Sequence, residues 1–449
     1  MKIVQLKVEP FQFINFLEAE CVKELNEHGV VKIKGLISEE NRAAYRKLAR
    51  KQIWVDLTAV DDKGKEHTLF NGVLTKLTMH SEHEEHTLSI EVKTGTFLLD
   101  RVPFTRSFQD GSLSFDSLIS TCLDSEAGVA LIHNDRAEQQ TGRFIMQYRE
   151  TNWSFIKRII TGLGVPLIPE FSTQGKRCHI GFNNQATPKE ITSPNYTTTI
   201  IPETSQEVFN VNLRETYQLG ERVIFEDTQL IIGKIETNLC GAELWHSYTL
   251  ITELPNTNTT PRPALNGVAL QAVVTNVSRD RVQIKIHDDV NKEESGHRWF
   301  NYATVYSTPN GTGFHAMPDV GTEVRLIFAE ASEVGAYVAS SVHLEEKGVR
   351  DNPEHKIWQN KQGKKILLGP DEILFDDDDG SLIELSGSKG IRMETDKDIE
   401  IQSKERIRIN SQSSNVTISA NEEVNIKQSS SKINIKDAID ISGGKINMN

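Results

Sequence analysis

Nine apolar doublets recur through the last stretch of this 449-residue chain, and a repeat at near-constant period constrains the architecture more than any other feature. They are Ile383/Leu385, Ile391/Met393, Ile399/Ile401, Ile407/Ile409, Val416/Ile418, Val424/Ile426, Ile433/Ile435, Ile439/Ile441 and Ile446/Met448. Their first members step by 8, 8, 8, 9, 8, 9, 6 and 7 residues. One polar residue separates the two members of each doublet, so in an extended chain both project to the same side. Each unit is therefore a short strand with one apolar face. Thr395-Asp396-Lys397, Ser403-Lys404-Glu405, Ser429-Ser430-Ser431 and Gly443-Gly444 supply turns or solvated links between units.

Eight residues are too few to form every side of a solenoid coil. Three chains wound together supply one side each, which predicts a C-terminal triple-stranded β-helix, a prism with the doublets from Ile383/Leu385 to Ile433/Ile435 on its axis. Inter-chain hydrogen bonds would close the strand edges. The competing arrangement is an antiparallel meander within one chain. It calls for Asn-Gly or Asp-Gly hairpin turns and longer strands, and the repeat reads as lacking them.

The length suggests two to four domains. The chain is acidic, 63 Asp and Glu against 50 Lys and Arg, which argues against a nucleic-acid partner. From Ser381 onward the charges balance at ten of each sign, so the outer face of the needle is wet and mixed, without the apolar band of a lipid-facing barrel. No secretory signal follows Met1, and no apolar run is long enough to span a bilayer. Cys21, Cys122, Cys178 and Cys240 are scattered, which reads as reduced core thiols rather than a disulfide framework or zinc site.

From Lys2 to about Leu254 the pattern is mainly β with a few short helices. Alternation marks strands at Val30–Lys34, Ile53–Leu57 and His86–Val92. Helices are predicted from Ser38 through Lys47, over Phe115–Leu123, and from Thr151 or Asn152 to Gly162 or Gly164. The third carries Trp153, Ile156, Ile159, Ile160 and Leu163 on one face, a core stripe. A polar, proline-bearing linker follows at Pro255–Pro263. Five short strands then fit a small barrel of the oligonucleotide/oligosaccharide-binding (OB) type: Val268–Val274, Val282–Ile286, Ala303–Tyr306, Val324–Phe328 and Tyr337–Val342. Such a barrel implies no ligand by itself.

Three stretches resemble the valine-glycine repeat protein G (VgrG) family and its relatives in contractile phage tails and injection systems. Gln147-Tyr148-Arg149-Glu150-Thr151-Asn152-Trp153-Ser154-Phe155-Ile156-Lys157-Arg158 is similar to the family's Gln-Tyr-Arg-Glu signature. Val282–Asp288, Trp299 and the run Gly311 to Val324 follow the order of its barrel, and Phe375–Gly380 resembles its acidic neck. The resemblance implies a hub of two β-barrels with helical insertions over residues 1–255, an OB barrel over 256–348, and a neck with needle over 349–449. It further implies a homotrimer, inner-tube and baseplate proteins at the hub, effector cargo, and a Pro-Ala-Ala-Arg (PAAR) tip protein over Ile439, Ile441, Ile446 and Met448. Such a protein assembles in the cytoplasm, then leaves in a secreted or extracellular particle or a virion, and transiently penetrates a target membrane. Two features depart from the family: the needle has no Val-x-Gly repeat, and Glu330-Ala331-Ser332-Glu333-Val334 stands where many relatives carry Gly-Asp-Pro.

No enzyme, cofactor or metal site is expected. Leu344–Lys356 leaves no room for a lysozyme domain between barrel and needle, and no effector follows the repeats. His80, His83 and His86 would share a face only on a helix, whereas they join two strands. Asp376–Asp379 lacks the ligand spacing of a calcium loop and reads as a turn. Gly-x-Ser-x-Gly, His-Glu-x-x-His and phosphate-binding glycine loops do not occur. The expected function is a trimeric hub and spike of a contractile injection machine. A trimeric, β-rich receptor-binding fibre or adhesin is the alternative, and a muralytic enzyme a more distant one.

Overall fold

In Val30–Leu36 the chain buries Val31, Ile33 and Gly35 and exposes the lysines between them, and Trp54–Asp61 and Glu85–Lys93 show the same two-residue period. A computed structural model describes residues 3–124, 129–132, 135–182, 187–203, 206–240, 243–254, 265–291, 296–343 and 351–435. It divides into two units, Met1–His343 and Leu344–Asn449.

The first unit is built on a twelve-stranded sheet. Its main path runs Ile3–Glu9, Trp54–Asp61, Glu66–Glu82, Glu85–Lys93, Val30–Leu36, Asn15–Glu24, Thr228–Cys240, Glu243–Ile251, Gln206–Leu213 and Tyr196–Ile201, with a branch through Arg222–Phe225 to Lys189–Glu190. Two halves meet where Asn15–Glu24 pairs antiparallel with Thr228–Cys240, Cys21 opposite Thr237. Each half closes over its own core, one around Ile33, Leu57, Phe70 and Leu88, the other around Phe209, Val211, Phe225 and Tyr248.

Helices lie where local signals predict them. Helix α1 (Glu39–Leu48) has acids in its first turn, although Ser38 makes no side-chain cap. Helix α2 (Phe115–Leu123) is capped by Ser114, whose hydroxyl accepts from the Ser117 N–H at 3.1 Å. Helix α3 (Asn152–Gly162) is capped in the same way by Thr151 from Ser154 at 3.1 Å, and Gly164 adopts φ +68° just beyond its end. Trp153, Phe155, Ile156, Ile159 and Ile160 pack against Phe115, Leu118, Ile119 and Leu167. Among the described residues no helix is long and apolar enough to cross a membrane.

A five-stranded sheet follows in the order Phe300–Asn301, Arg281–Ile286, Ala269–Ser278, Glu323–Ile327, Tyr337–Ala339. Phe144 and Met146, from the segment before α3, complete its core, Phe144 meeting Phe300 edge-on at 5.4 Å. The strand expected at Ala303–Tyr306 is not formed. Phe300 is the inward-facing residue, and the chain then enters a loop in which Val305 is 90% exposed. The last strand stops before Val342 because Ser340 takes φ +55°.

The second unit holds a five-stranded antiparallel meander, Lys356–Gln359, Lys365–Leu368, Glu372–Asp376, Ser381–Ser386 and Gly390–Thr395, and a hairpin, Val424–Gln428 with Ser431–Ile435. The first doublets thus lie in hairpins within one chain, the meander that competes with the inter-chain prism. Turn signals do support it: Gly363, Gly380 of Asp379-Gly380, and Gly390 take φ +82°, +85° and +87°, a region glycine enters freely. Residues 396–423 form no strand.

Candidate assembly surface

Residues directly opposite in an antiparallel ladder share a face. The meander's register therefore aligns Trp358, Ile366, Phe375, Ile383 and Met393 in one row and Leu368, Ile373, Leu385 and Ile391 in a second row on the same side. All of these except Ile366 are exposed within the single chain. A concavity of about 710 Å³ runs along the first row and reaches Ile399. The other face is different. Leu367 is buried, Lys365 pairs with Asp376 at 2.9 Å, and Lys389 pairs with the buried carboxylate of Glu384 at 3.2 Å.

Beyond the meander, Ile399, Ile401, Ile407, Ile409, Val416 and Ile418 are 52–71% exposed. In the hairpin, Ile426 opposes Ile433, both exposed, and half-buried Val424 opposes Ile435 along the backbone. Grouped exposed apolar side chains are the usual surface signature of an interaction site. Ile439, Ile441, Ile446 and Met448 lie outside the described residues, as does the linker at Pro255–Pro263.

The structure extends the repeat toward the N-terminus with Ile366/Leu368 and Ile373/Phe375, which the doublet pattern misses. In both, the residue between is leucine, Leu367 or Leu374, because the opposite face is apolar here too. Steps of 7 from Ile366 to Ile373 and 10 from there to Ile383 also fall off the near-constant period of the later doublets.

Asp376–Asp379 forms the turn between the third and fourth strands. Asp377 Oδ1 accepts from the Asp379 and Ser381 N–H groups, each at 2.9 Å, and Asp376 Oδ1 accepts from Asp378 at 2.9 Å. The Lys365 ammonium beside Asp376, and the Ser381 and Asp379 amides at Asp377, hold these carboxyls below their usual range. Their oxygens are thus engaged in shaping the turn. His80 and His86 lie on opposite faces of the hairpin Glu66–Glu82/Glu85–Lys93, since Ser81 pairs with His86 and His80 with Thr87. His83 is in the turn at φ +53°. The three histidines do not converge, and among the described residues no group of three His, Cys, Asp or Glu is placed to hold a metal.

The Gln147–Arg158 signature is a structural joint. Arg158 forks onto Glu150 at 3.1 and 2.9 Å, donates to the Met146 carbonyl at 2.9 Å, and reaches Glu333, between the last two strands of the small sheet's chain order, at 3.5 Å. Buried Arg106 donates to Gln147 Oε1 at 2.8 Å and to Asn152 Oδ1 at 2.7 Å. Next to it, the buried Asp289 carboxylate accepts from the Ser107 and Asn291 N–H groups at 3.0 and 2.8 Å, and burial pushes its pKa up. The Val290 N–H to Thr105 carbonyl bond at 3.0 Å completes the attachment of the small sheet to the helical insertion.

With this layout established, two solved structures align over most of the chain. A chain of the Francisella PdpA–VgrG complex in its half-lidded form superposes with a TM-score of 0.59 at 9% identity, covering 88% of each chain. The c3393 protein of E. coli, a component of the type VI secretion system with structural similarity to the T4 bacteriophage tail proteins gp27 and gp5, superposes with a TM-score of 0.52 at 13% identity, covering 76% of this chain and 100% of its own. The chain shares the VgrG-type fold. No family profile and no curated protein matches its sequence. At such identities the VgrG-type fold is shared as backbone layout, and the side chains of the exposed rows are this chain's own.

Proposed function

We propose that three copies of this chain form the hub and spike of a contractile injection machine, with the exposed apolar rows turned inward on a common axis. The observation that carries the reading is the exposure of the doublets between Ile399 and Ile418 in a stretch that, among the described residues, pairs with no strand. Exposed apolar side chains and unpaired backbone are two deficits that neighbouring copies remove together. A closed column has no free strand edge, so axial force from a contracting sheath passes down it without peeling one side away.

In this reading the first unit meets inner-tube and baseplate proteins, and a PAAR-type tip covers the far end near Ile439, Ile441, Ile446 and Met448. Effector cargo travels with the spike, and the protein assembles in the cytoplasm before it is driven out through a target envelope. Type VI secretion systems, tailocins, extracellular injection systems and phage tails all have a place for such a part. No step requires catalysis.

Sedimentation of the purified chain tests the proposal. The wild type should sediment as three chains, and the double variant Ile407→Asp/Ile409→Asp as one, because each substitution would place an unpaired charge on the axis. A wild type that stays a stable monomer, or a variant that assembles normally, rejects the buried column.

A further inference from the structure

From Asp398 the chain reads Asp-Ile-Glu-Ile, and eight residues on, from Arg406, it reads Arg-Ile-Arg-Ile. Ile399 and Ile401 project to one side of an extended chain, as do Ile407 and Ile409. Asp398 and Glu400 therefore share the other side of one unit, and Arg406 and Arg408 that of the next. Position for position, the two units carry opposite charge. The alternation reaches further back. The residues between doublet members run Glu384, Arg392, Glu400, Arg408, with the sign changing at every step. The first step is seen within one chain, where Glu384 lies directly opposite Arg392 in the meander. The later steps are not. Residues 396–423 form no strand, and Asp398, Glu400, Arg406 and Arg408 are all exposed, with no ion pair among them.

We propose that the unit stacked on Asp398–Ile401 of one copy is Arg406–Ile409 of a neighbouring copy, so that a ladder of opposite charges between chains fixes their stagger. This rests on the three-copy reading above. A threefold axis holds equivalent residues at one height, spaced around the column, so a unit cannot stack on its own equivalent. Its own next unit does not pair with it either, which leaves the next unit of another copy. Neighbouring strands lie about 4.8 Å apart, within ion-pair reach for Asp398 beside Arg406 and for Glu400 beside Arg408. The apolar rows cannot choose this stagger, because each unit offers the same pair of aliphatic side chains. Charge can. Skipping one unit would set Glu384 beside Glu400 and Arg392 beside Arg408, like on like. Exposed ion pairs add little stability singly, and their effect here is to penalise the wrong register.

Cross-linking and charge reversal in the full chain test this at Asp398 and Arg406. Gly390 and Asn415 hold the same position in the units on either side, so this pair can be changed without touching another charge in its row. Treated with a short bis-maleimide, Asp398→Cys/Arg406→Cys should give covalent two-chain and three-chain species on denaturing gels, and neither single cysteine variant should. Cys21, Cys122 and Cys178 are buried, and wild type treated alike gives the background. Asp398→Arg or Arg406→Asp alone should lower the urea concentration at which the three chains separate by about 0.5 M. The swap Asp398→Arg/Arg406→Asp should restore it. The ladder is wrong, and the three-copy reading stands, if a protein that still sediments as three chains links only within one chain or not at all. The same holds if a single cysteine variant links two chains, or if the swap recovers nothing. A wild type that sediments as one chain overturns both.

Discussion

Arg158 shows how much one side chain holds in place. Its planar fork meets Glu150 twice and caps the Met146 carbonyl, so Arg158→Met leaves a largely buried carboxylate without its cation. The expected cost is about 3 kcal/mol in urea unfolding of the full chain. Arg158→Lys should recover only part of that, since an ammonium cannot reproduce two parallel hydrogen bonds. His246 gives a pH dependence. Its Nδ1 bonds Thr237 Oγ1 at 2.8 Å, and burial, assisted by nearby positive charge, pushes its pKa down to about 4. Above pH 6.5 the ring is neutral in both folded and unfolded chains. As pH falls from 6.5 toward 4 the unfolded chain takes up a proton that the folded one refuses, and stability drops by on the order of 3 kcal/mol. His246→Asn should flatten this part of the stability–pH curve; an unchanged slope would assign the acid sensitivity to other groups.

At the scale of elements, the two faces of the meander should respond in opposite ways to mutation. Leu367→Ala, on the buried side, is expected to cost about 2–3 kcal/mol of monomer stability. Phe375→Asp, on the exposed side, should leave the monomer within about 0.5 kcal/mol of wild type while weakening assembly sharply, as read by sedimentation over a concentration series. Equal effects on monomer and assembly would mean that both faces are internal to one chain. The same two faces explain what was legible in the sequence. Doublets from Ile383 onward stand out because Glu384, Arg392 and their successors separate the apolar members, whereas Leu367 and Leu374 fill that position in the preceding strands and hide the period. Helix α3 is readable because Thr151 is a local cap, whereas the Ser114 cap of α2 is seen only in the structure. Val305 and Tyr306 look like strand residues, but hydrogen bonds from Phe314 to Tyr306 and from Thr308 to Thr312, each 2.8 Å, hold them in a loop. Asp379-Gly380 is a local hairpin signal for the meander, lying just ahead of the first doublet. Contacts such as Arg158 to Glu333 join residues 175 positions apart, and no local pattern announces them.

For the whole molecule, the two units differ in what one chain can complete. The first buries its two cores within one chain, whereas the second exposes rows of aliphatic and aromatic side chains that water solvates poorly. In the proposed assembly a threefold axis brings equivalent rows of three copies together, which removes those side chains from water. Symmetry is therefore the property on which the account depends. Electron-microscopic imaging of the purified chain reads it directly: the account predicts a threefold particle with a thin rod on its axis, and a twofold particle, or a lone globule with no rod, would contradict it.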